Sequence, residues 1–377
     1  MRLSDTEKTT PSGFRSIVEM FRACAEAKRD GRGYVFLENG ETEASVLTYG
    51  ELDRQSRAIA ATLQHSVAPG ARALLMYPPG LEFIAAFLGC LYAGVLAVPA
   101  YSPHPARLAR SLPRLRAIAR DAEISVVLCT ESIAAMSPAL LKEAPELAQA
   151  RILATDRIDP SPADTWKEPA IGPDTLAFLQ YTSGSTAEPK GVMVSHGNLL
   201  HNLAYMNECE GNDTSSCSVS WLPVYHDMGL IEGILLPAFG RYPAYLLAPM
   251  AFLQRPLRWL TAISRYRATS SGGPNFAYDL CVRKITPEQR QQLDLSCWHV
   301  AYNGSEPIRE TTLASFTETF ADCGFRAESH RPTYGLAEAT LLVSASARLT
   351  QPTTRTVDAT ALANDRVLEL TQPSRAA

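Results

Sequence analysis

The chain has 377 residues, of which 46% are hydrophobic and 20% are charged, so it is long enough to bury two or more hydrophobic cores. Its formal net charge of −4 gives no reason to expect a nucleic-acid partner. Eight cysteines without a C-x-x-C pair and seven histidines without an H-E-x-x-H string predict neither a disulfide framework nor a zinc site.

The N-terminal region predicts a helix, a strand and a second helix. Residues 1–10 lack the apolar core of a secretory signal, so we expect a cytoplasmic protein. Apolar side chains recur at helical spacing over residues 12–28, and residues 34–37 are typical of a strand. Thr48 and Glu51 form a capping-box pattern, which predicts that the second helix begins just after Thr48.

Residues 83–103 contain no charged side chain and are the candidate membrane span of this chain. Gly89, Gly94 and Pro99 interrupt the segment. We therefore predict a buried helix over residues 81–92 and a strand over residues 95–98, which is the helix-then-strand order of a doubly wound sheet. The sequence predicts no membrane span.

A short basic helix is predicted next, with arginines three, four, two and four residues apart. These arginines are Arg107, Arg110, Arg114, Arg116 and Arg120. Such a pattern is typical of a solvated helix face. The alternative is a docking surface for an acidic carrier protein.

A loose connector rich in Ala, Pro and Asp precedes residue 173, and we place a domain boundary near Gly172. Residues 1–172 would form a first α/β subdomain and residues 173–377 a second. Helical and strand-like patterns alternate as far as Val343. This alternation predicts an α/β fold of layered, mostly parallel sheets with flanking helices.

Residues 179–191 read L-Q-Y-T-S-G-S-T-A-E-P-K-G and lie between two strand-like runs. Glycine, small hydroxyl residues and Lys190 together are suited to binding phosphate through backbone N–H groups, hydroxyls and a positive charge. The segment is not a Walker A loop, because no Gly-Lys-Ser/Thr string precedes a helix. A polar hairpin connection without a ligand is the alternative.

Three further segments place glycine and polar residues where strands should end. They are S-S-G-G-P-N-F-A-Y (residues 270–278), N-G-S-E-P (residues 303–307) and T-Y-G-L-A-E (residues 333–338). Ligands bind at the carboxyl ends of parallel strands, whereas each string alone is also compatible with a structural turn. Tyr334 offers a ring face for a base, and Glu338 offers a carboxylate of the kind that Mg²⁺ prefers.

The loop resembles the phosphate-binding signature of adenylate-forming enzymes, except that Ala187 stands where that family usually has glycine. With the runs at residues 77–94, 221–231, 271–281, 303–309 and 334–341, the chain is similar to the fatty acyl-AMP ligases. These enzymes activate fatty acids for acyl carrier proteins of polyketide and nonribosomal peptide assembly lines. The resemblance covers residues 14–370 and implies the fold of their large N-terminal domain.

The resemblance implies a role for each matching residue. ATP would be bound by Thr182, Ser183, Gly184, Ser185, Thr186 and Lys190 at the phosphates, and by Gly304, Ser305, Glu306, Pro307, Tyr334, Gly335, Leu336 and Ala337 around adenine. Mg²⁺ would be shared by Thr186 and Glu338. The fatty acid would contact Trp221, His226, Asp227, Met228, Gly229, Gly272, Gly273 and Phe276. Lys190, His226 and Glu338 would be the catalytic residues.

The resemblance also implies parts that this sequence does not show. Members of the superfamily carry a ribose-binding aspartate and then a mobile C-terminal domain with a catalytic lysine, and we expect this chain to lack both. We therefore expect ATP-dependent activation of a medium- or long-chain fatty acid, with a chain that binds its substrates better than it turns them over. The alternatives are a long-chain acyl-CoA synthetase and a truncated, non-catalytic remnant.

Overall fold

A computed structural model describes residues 13–102, 108–182 and 189–370 of the chain. Fourteen strands occur within these residues. In chain order they are β1 (Arg32–Glu38), β2 (Thr42–Thr48), β3 (Arg72–Tyr77), β4 (Leu96–Tyr101), β5 (Val126–Cys129), β6 (Arg151–Ala154), β7 (Leu176–Thr182), β8 (Lys190–Ser195), β9 (Ser218–Ser220), β10 (Ala244–Leu247), β11 (Ser270–Gly273), β12 (Val300–Asn303), β13 (His330–Gly335) and β14 (Leu342–Ala345).

Helices follow or separate most of these strands. The described α-helices are α1 (Ile17–Ala27), α2 (Tyr49–Gln64), α3 (Glu82–Ala93), α4 (Leu108–Asp121), α5 (Glu131–Ala134), α6 (Ser137–Glu143), α7 (His196–Glu210), α8 (Leu236–Gly240), α9 (Pro249–Gln254), α10 (Leu257–Tyr266), α11 (Asn275–Lys284), α12 (Pro287–Arg290), α13 (Glu310–Phe320) and α14 (Ala359–Leu362). A π-helical segment, Met228–Leu235, leads directly into α8.

The described strands form two sheets. The first has the order β6-β5-β3-β4-β7-β8, and only β8 runs antiparallel to its neighbour. The second has the order β14-β13-β12-β11-β9-β10-β1-β2, with antiparallel strands at its two edges. The expected α/β fold with mostly parallel sheets and flanking helices is confirmed.

Local signals explain where several helices begin. Thr48 and Glu51 form the expected capping box at the start of α2, and Ser195 with Asn198 forms another at α7. Each pair satisfies backbone N–H groups that the first helical turn cannot satisfy internally. Gly211 ends α7 with a φ of +61°, a backbone conformation that glycine adopts without steric cost.

The apolar segment that resembled a membrane span is a buried core element. α3 is buried along residues 83–93 and packs beside α2, where Gly89 permits a close approach: a Cβ there would lie 2.6 Å from Cγ2 of Ile59. The strand β4 follows, as expected. No helix in the described part of the chain is long and apolar enough to cross a membrane.

The domain boundary predicted near Gly172 stays a prediction. Each sheet contains strands from both sides of that residue, because β7 and β8 join β3–β6 whereas β1 and β2 join β9–β14. One large core connects one face of the first sheet, α1–α3 and the second sheet, and a smaller core under α4 covers the opposite face of the first sheet. Parallel strands of both sheets thereby present their carboxyl ends to the segments singled out above.

Candidate active site

The predicted phosphate loop connects the two strands of a β-hairpin. Thr182 at the end of β7 pairs with Lys190 at the start of β8, and the side chain of Lys190 is exposed. Ser183, Gly184, Ser185 and Thr186, and the unusual Ala187, lie outside the described residues. The pairing of Thr182 with Lys190 therefore holds the two ends of the predicted loop together, and Lys190 lies where the loop enters β8.

The segment after β9 supplies an aromatic wall. Trp221 is buried and stacks on Phe252 with ring centroids 4.1 Å apart. Its edge also meets Phe276, whose centroid lies 6.0 Å away. The structure thus brings Trp221 and Phe276 together, although they are far apart in the chain.

His226 and Asp227 form a hydrogen-bonded pair at the start of the π-helical segment. Nδ1 of His226 lies 2.6 Å from Oδ1 of Asp227, and the same oxygen accepts the backbone N–H of Met228 at 2.7 Å. The hydrogen bond to Asp227 raises the pKa of His226, and partial burial and the charge of Arg114 oppose it. The imidazole is about half exposed (53%), so a protonated ring can face a ligand.

An apolar cavity of about 650 Å³ opens beside this pair. It extends from His226, Met228 and Ser305 past Trp221 to Phe276, with Met250 and Leu253 among its other lining residues. The volume lies within the usual range of ligand pockets. Four of the eight predicted acid-binding residues line it: Trp221, His226, Met228 and Phe276.

The predicted glycines shape the walls rather than line the cavity. A Cβ on Gly229 would lie 2.1 Å from the carbonyl oxygen of Pro223, and one on Gly272 would lie 2.1 Å from that of Tyr302. A Cβ on Gly273 would lie 2.6 Å from Cζ2 of Trp221. These three positions need glycine because backbone or indole approaches them closely.

A second cavity of about 200 Å³ meets the first at His226, Met228 and Ser305. Asp227 lines this second cavity, together with two buried carboxyl groups, Glu210 from α7 and Glu232 from the π-helical segment. These two glutamates are not among the site residues predicted above. Their spacing along the chain carries no motif, so only their burial reveals them.

The two carboxyl groups are hydrogen-bonded to each other. Oε2 of Glu210 also accepts hydrogen bonds from Nδ2 of Asn212 (2.9 Å) and Oγ of Ser270 (3.4 Å). Burial raises the pKa of both groups, and the neighbouring Glu210 raises the pKa of Glu232 further. The buried Arg331 opposes both shifts. Glu232 therefore keeps its proton well above the usual pKa of a glutamic acid.

We expect Glu232→Gln to raise the melting temperature, and by more at pH 8 than at pH 5. An unfolded glutamic acid releases its proton near pH 4.3, whereas folded Glu232 keeps it at higher pH. The wild-type fold therefore loses stability as the pH rises from there toward the folded pKa, and glutamine has no proton to lose. Thermal unfolding between pH 5 and pH 8 measures this.

The matched control is Glu208→Gln, which removes an exposed carboxyl group from α7, the helix that carries Glu210. Its melting temperature should follow the wild-type pH dependence. A difference between Glu232→Gln and wild type that stays constant from pH 5 to pH 8 would contradict the assignment of the proton to Glu232.

The expected adenine-binding segments lie side by side. β12 and β13 are parallel neighbours, so the residues 304–307 that follow β12 lie next to Tyr334 near the end of β13. The Tyr334 ring is exposed, and Oε1 of Glu306 accepts the N–H of Phe276 at the first turn of α11.

Ser305, at a φ of +68°, lines both cavities. Gly335 lines the smaller cavity, and Leu336 and Ala337 continue the chain toward Glu338.

Glu338 lies on a short 3₁₀ turn beside β8. Its carboxylate is exposed, has no ion pair among the described residues, and lines a cavity of about 420 Å³ with Met193, Asn198 and His201. The described residues contain no cluster of three or more metal-binding side chains. A single free carboxylate next to the phosphate-loop strand fits Mg²⁺, which takes few protein ligands and completes its shell with phosphate and water.

A family model for AMP-binding enzymes matches residues 21–367. The chain is 46% identical over 356 residues to the medium-chain-fatty-acid–acyl-carrier-protein ligase of Moorena producens (strain JHB), covering 94% of this chain and 60% of that protein.

Two solved structures from Legionella pneumophila share the fold. The fatty acid AMP ligase has a TM-score of 0.87 at 40% identity, over 96% of this chain and 62% of that one. The fatty acyl-adenylate ligase in complex with acyl adenylate and pyrophosphate has a TM-score of 0.84 at 43% identity, over 91% and 59%. The chain thus spans about 60% of the length of these proteins. The resemblance inferred from the sequence motifs is confirmed.

Proposed function

Because the chain belongs to the AMP-binding enzyme family, we propose that it forms the substrate-binding part of a fatty acyl-AMP ligase. The reaction is the conversion of a medium- or long-chain fatty acid and ATP to acyl-adenylate and pyrophosphate. The observation that carries this proposal is the apolar cavity of about 650 Å³, which ends at His226 and Ser305 beside the predicted adenine segment. The relatives' names support the same chemistry.

ATP would bind across the carboxyl edges of both sheets. The phosphates would meet Thr182, residues 183–186 and Lys190, and adenine would lie between residues 304–307 and residues 334–337. The exposed Tyr334 ring and the exposed Lys190 side chain support these roles. Thr186 and Glu338 would hold Mg²⁺, which when bound neutralises phosphate charge.

The acid would enter with its alkyl chain in the apolar cavity and its carboxylate near His226 and Asp227. One carboxylate oxygen forms a bond to the α-phosphorus while the bond from that phosphorus to the oxygen bridging toward the β-phosphate breaks. Negative charge then grows on the departing pyrophosphate. The cations of Lys190 and of protonated His226 would stabilise it, because charges placed in advance cost no reorganisation during reaction.

The acceptor of the acyl group is proposed to be an acyl carrier protein rather than coenzyme A, within a polyketide or nonribosomal peptide pathway in the cytoplasm. The name of the Moorena producens relative supports a carrier-protein acceptor. The alternative is coenzyme A, as in a long-chain acyl-CoA synthetase.

An adenylate-trapping assay on the full-length gene product, with acids of graded length, tests the proposal. Affinity should increase with chain length until the cavity is full, by about 0.8 kcal/mol for each buried CH₂. Adding coenzyme A should yield little acyl-CoA. A flat dependence on chain length, or efficient thioester formation with coenzyme A, would instead favour the acyl-CoA synthetase, and no adenylate with any acid would favour a non-catalytic remnant.

A further inference from the structure

The arginines of α4 do not form one solvated face. Nε of Arg116 and Nη2 of Arg120 both bind the carboxylate of Glu146, at 2.9 and 3.0 Å. The side chains of Arg107 and Arg110 lie outside the described residues. Arg114 points elsewhere, toward the carboxyl edge of the first sheet, so the basic pattern divides into arginines with different surroundings.

Arg114 reaches the end of β7, where the predicted phosphate loop begins. Its Nη2 lies 3.5 Å from the carbonyl oxygen of Tyr181, which is a long hydrogen bond. Its Nε is buried and has no hydrogen-bond partner within the described residues. No carboxylate in the described part of the chain forms an ion pair with this guanidinium.

Three residues that line the apolar cavity lie close enough to Arg114 to be affected by its charge: Tyr101, Tyr225 and His226. Tyr101 at the end of β4 and Tyr225 form an edge-to-face pair with centroids 6.3 Å apart, and both line the apolar cavity with His226. Burial raises the pKa of both tyrosines, and the hydrogen bond to Asp227 raises the pKa of His226; the charge of Arg114 opposes each of these shifts. Nε2 of Gln180 on β7 donates to the carbonyl oxygen of Tyr225 at 3.2 Å, which ties this wall to the strand.

We propose that Arg114 binds an oxyanion of the substrates, a nucleotide phosphate or the carboxylate of the acid, between the end of β7 and His226. This inference rests on the proposed function. Parallel strands β4 and β7 both end at this edge, where α/β sheets bind ligands. Arg114 is a partly buried cation with no anionic partner among the described residues, which is costly, and an oxyanion supplies the two-point hydrogen bonding that a guanidinium is shaped for.

A purely structural role, support of the Tyr181 carbonyl, makes a different prediction. Glutamine and lysine can both donate a hydrogen bond to that carbonyl oxygen, but only lysine keeps the positive charge. If Arg114 binds an oxyanion, the glutamine variant should therefore lose ligand affinity and the lysine variant should lose less, with no loss of thermal stability in either.

The experiment measures binding of ATP, and separately of dodecanoate, to the chain by titration calorimetry. Wild type is compared with Arg114→Gln, Arg114→Lys and the matched control Arg120→Gln, which removes an arginine of the same helix. We expect Arg114→Gln to weaken binding of at least one of the two ligands by about 10- to 100-fold, since charged hydrogen bonds contribute that much. Arg114→Lys should lose less, and Arg120→Gln should bind as wild type.

The ligand that is affected identifies the oxyanion as phosphate or carboxylate. Unchanged affinities of Arg114→Gln for both ligands, or losses that parallel a fall in melting temperature in both Arg114 variants, would overturn the role of Arg114 while leaving the proposed function intact. Failure of the wild-type chain to bind either ligand would overturn both.

Discussion

Lys190→Ala is expected to lower acyl-adenylate formation by the full-length protein by about two to three orders of magnitude. The exposed ammonium group stands at the first residue of β8, directly after the predicted phosphate loop. Removing one group that stabilises charge developing in a transition state costs about that much. The ATP-dependent release of pyrophosphate with a saturating fatty acid measures it.

Two further variants define this effect. Lys190→Arg should recover little activity, because a planar guanidinium is larger than an ammonium group and places its charge differently. Lys284→Ala, which removes an exposed lysine at the end of α11, should leave the rate unchanged. Wild-type pyrophosphate release in Lys190→Ala would show that this lysine does not contact the phosphates.

Gly273→Leu is expected to abolish activity on long acids while retaining it on short ones. Even a Cβ added at this position would lie 2.6 Å from the indole of Trp221, so a leucine side chain must displace that ring. Trp221 forms part of the wall of the apolar cavity, and its displacement narrows the space for the chain. Overpacking of this kind costs about 1–3 kcal/mol. A long acid also loses the burial of its terminal CH₂ groups, so its binding is weakened more than that of a short acid.

The measurement is the rate of adenylate formation with acids graded in length from about four to sixteen carbons, because each buried CH₂ contributes about 0.8 kcal/mol. Gly172→Leu is the matched control, since a Cβ there meets no atom within 4 Å. Its length profile should equal that of wild type. Equal losses on short and long acids in Gly273→Leu would mean that the cavity beside Trp221 does not hold the alkyl chain.

Much of the secondary structure could be predicted from local sequence because its signals are local. The capping box at Thr48 and Glu51 places the start of α2. The apolar run over residues 83–93 was identified as a buried helix from its interruptions, and the structure shows why it can be buried: Gly89 lets α3 contact Ile59 of α2. The expected position of the phosphate loop between strands followed from the apolar runs on both sides of it.

The amino-acid sequence by itself also determined that residues 303–307 and 333–338 follow strands, whereas their meeting around adenine was only implied by the family resemblance. Only the tertiary structure decided which side chains face one another there. Arg114 and Arg120 look alike in sequence, yet one reaches the carbonyl oxygen of Tyr181 at the end of β7 and the other binds Glu146. Glu210 and Glu232 belong to different helical segments and meet only when both are buried. Strand order and side-chain direction arise from contacts between residues distant in the chain, and short-range periodicity carries no record of such contacts.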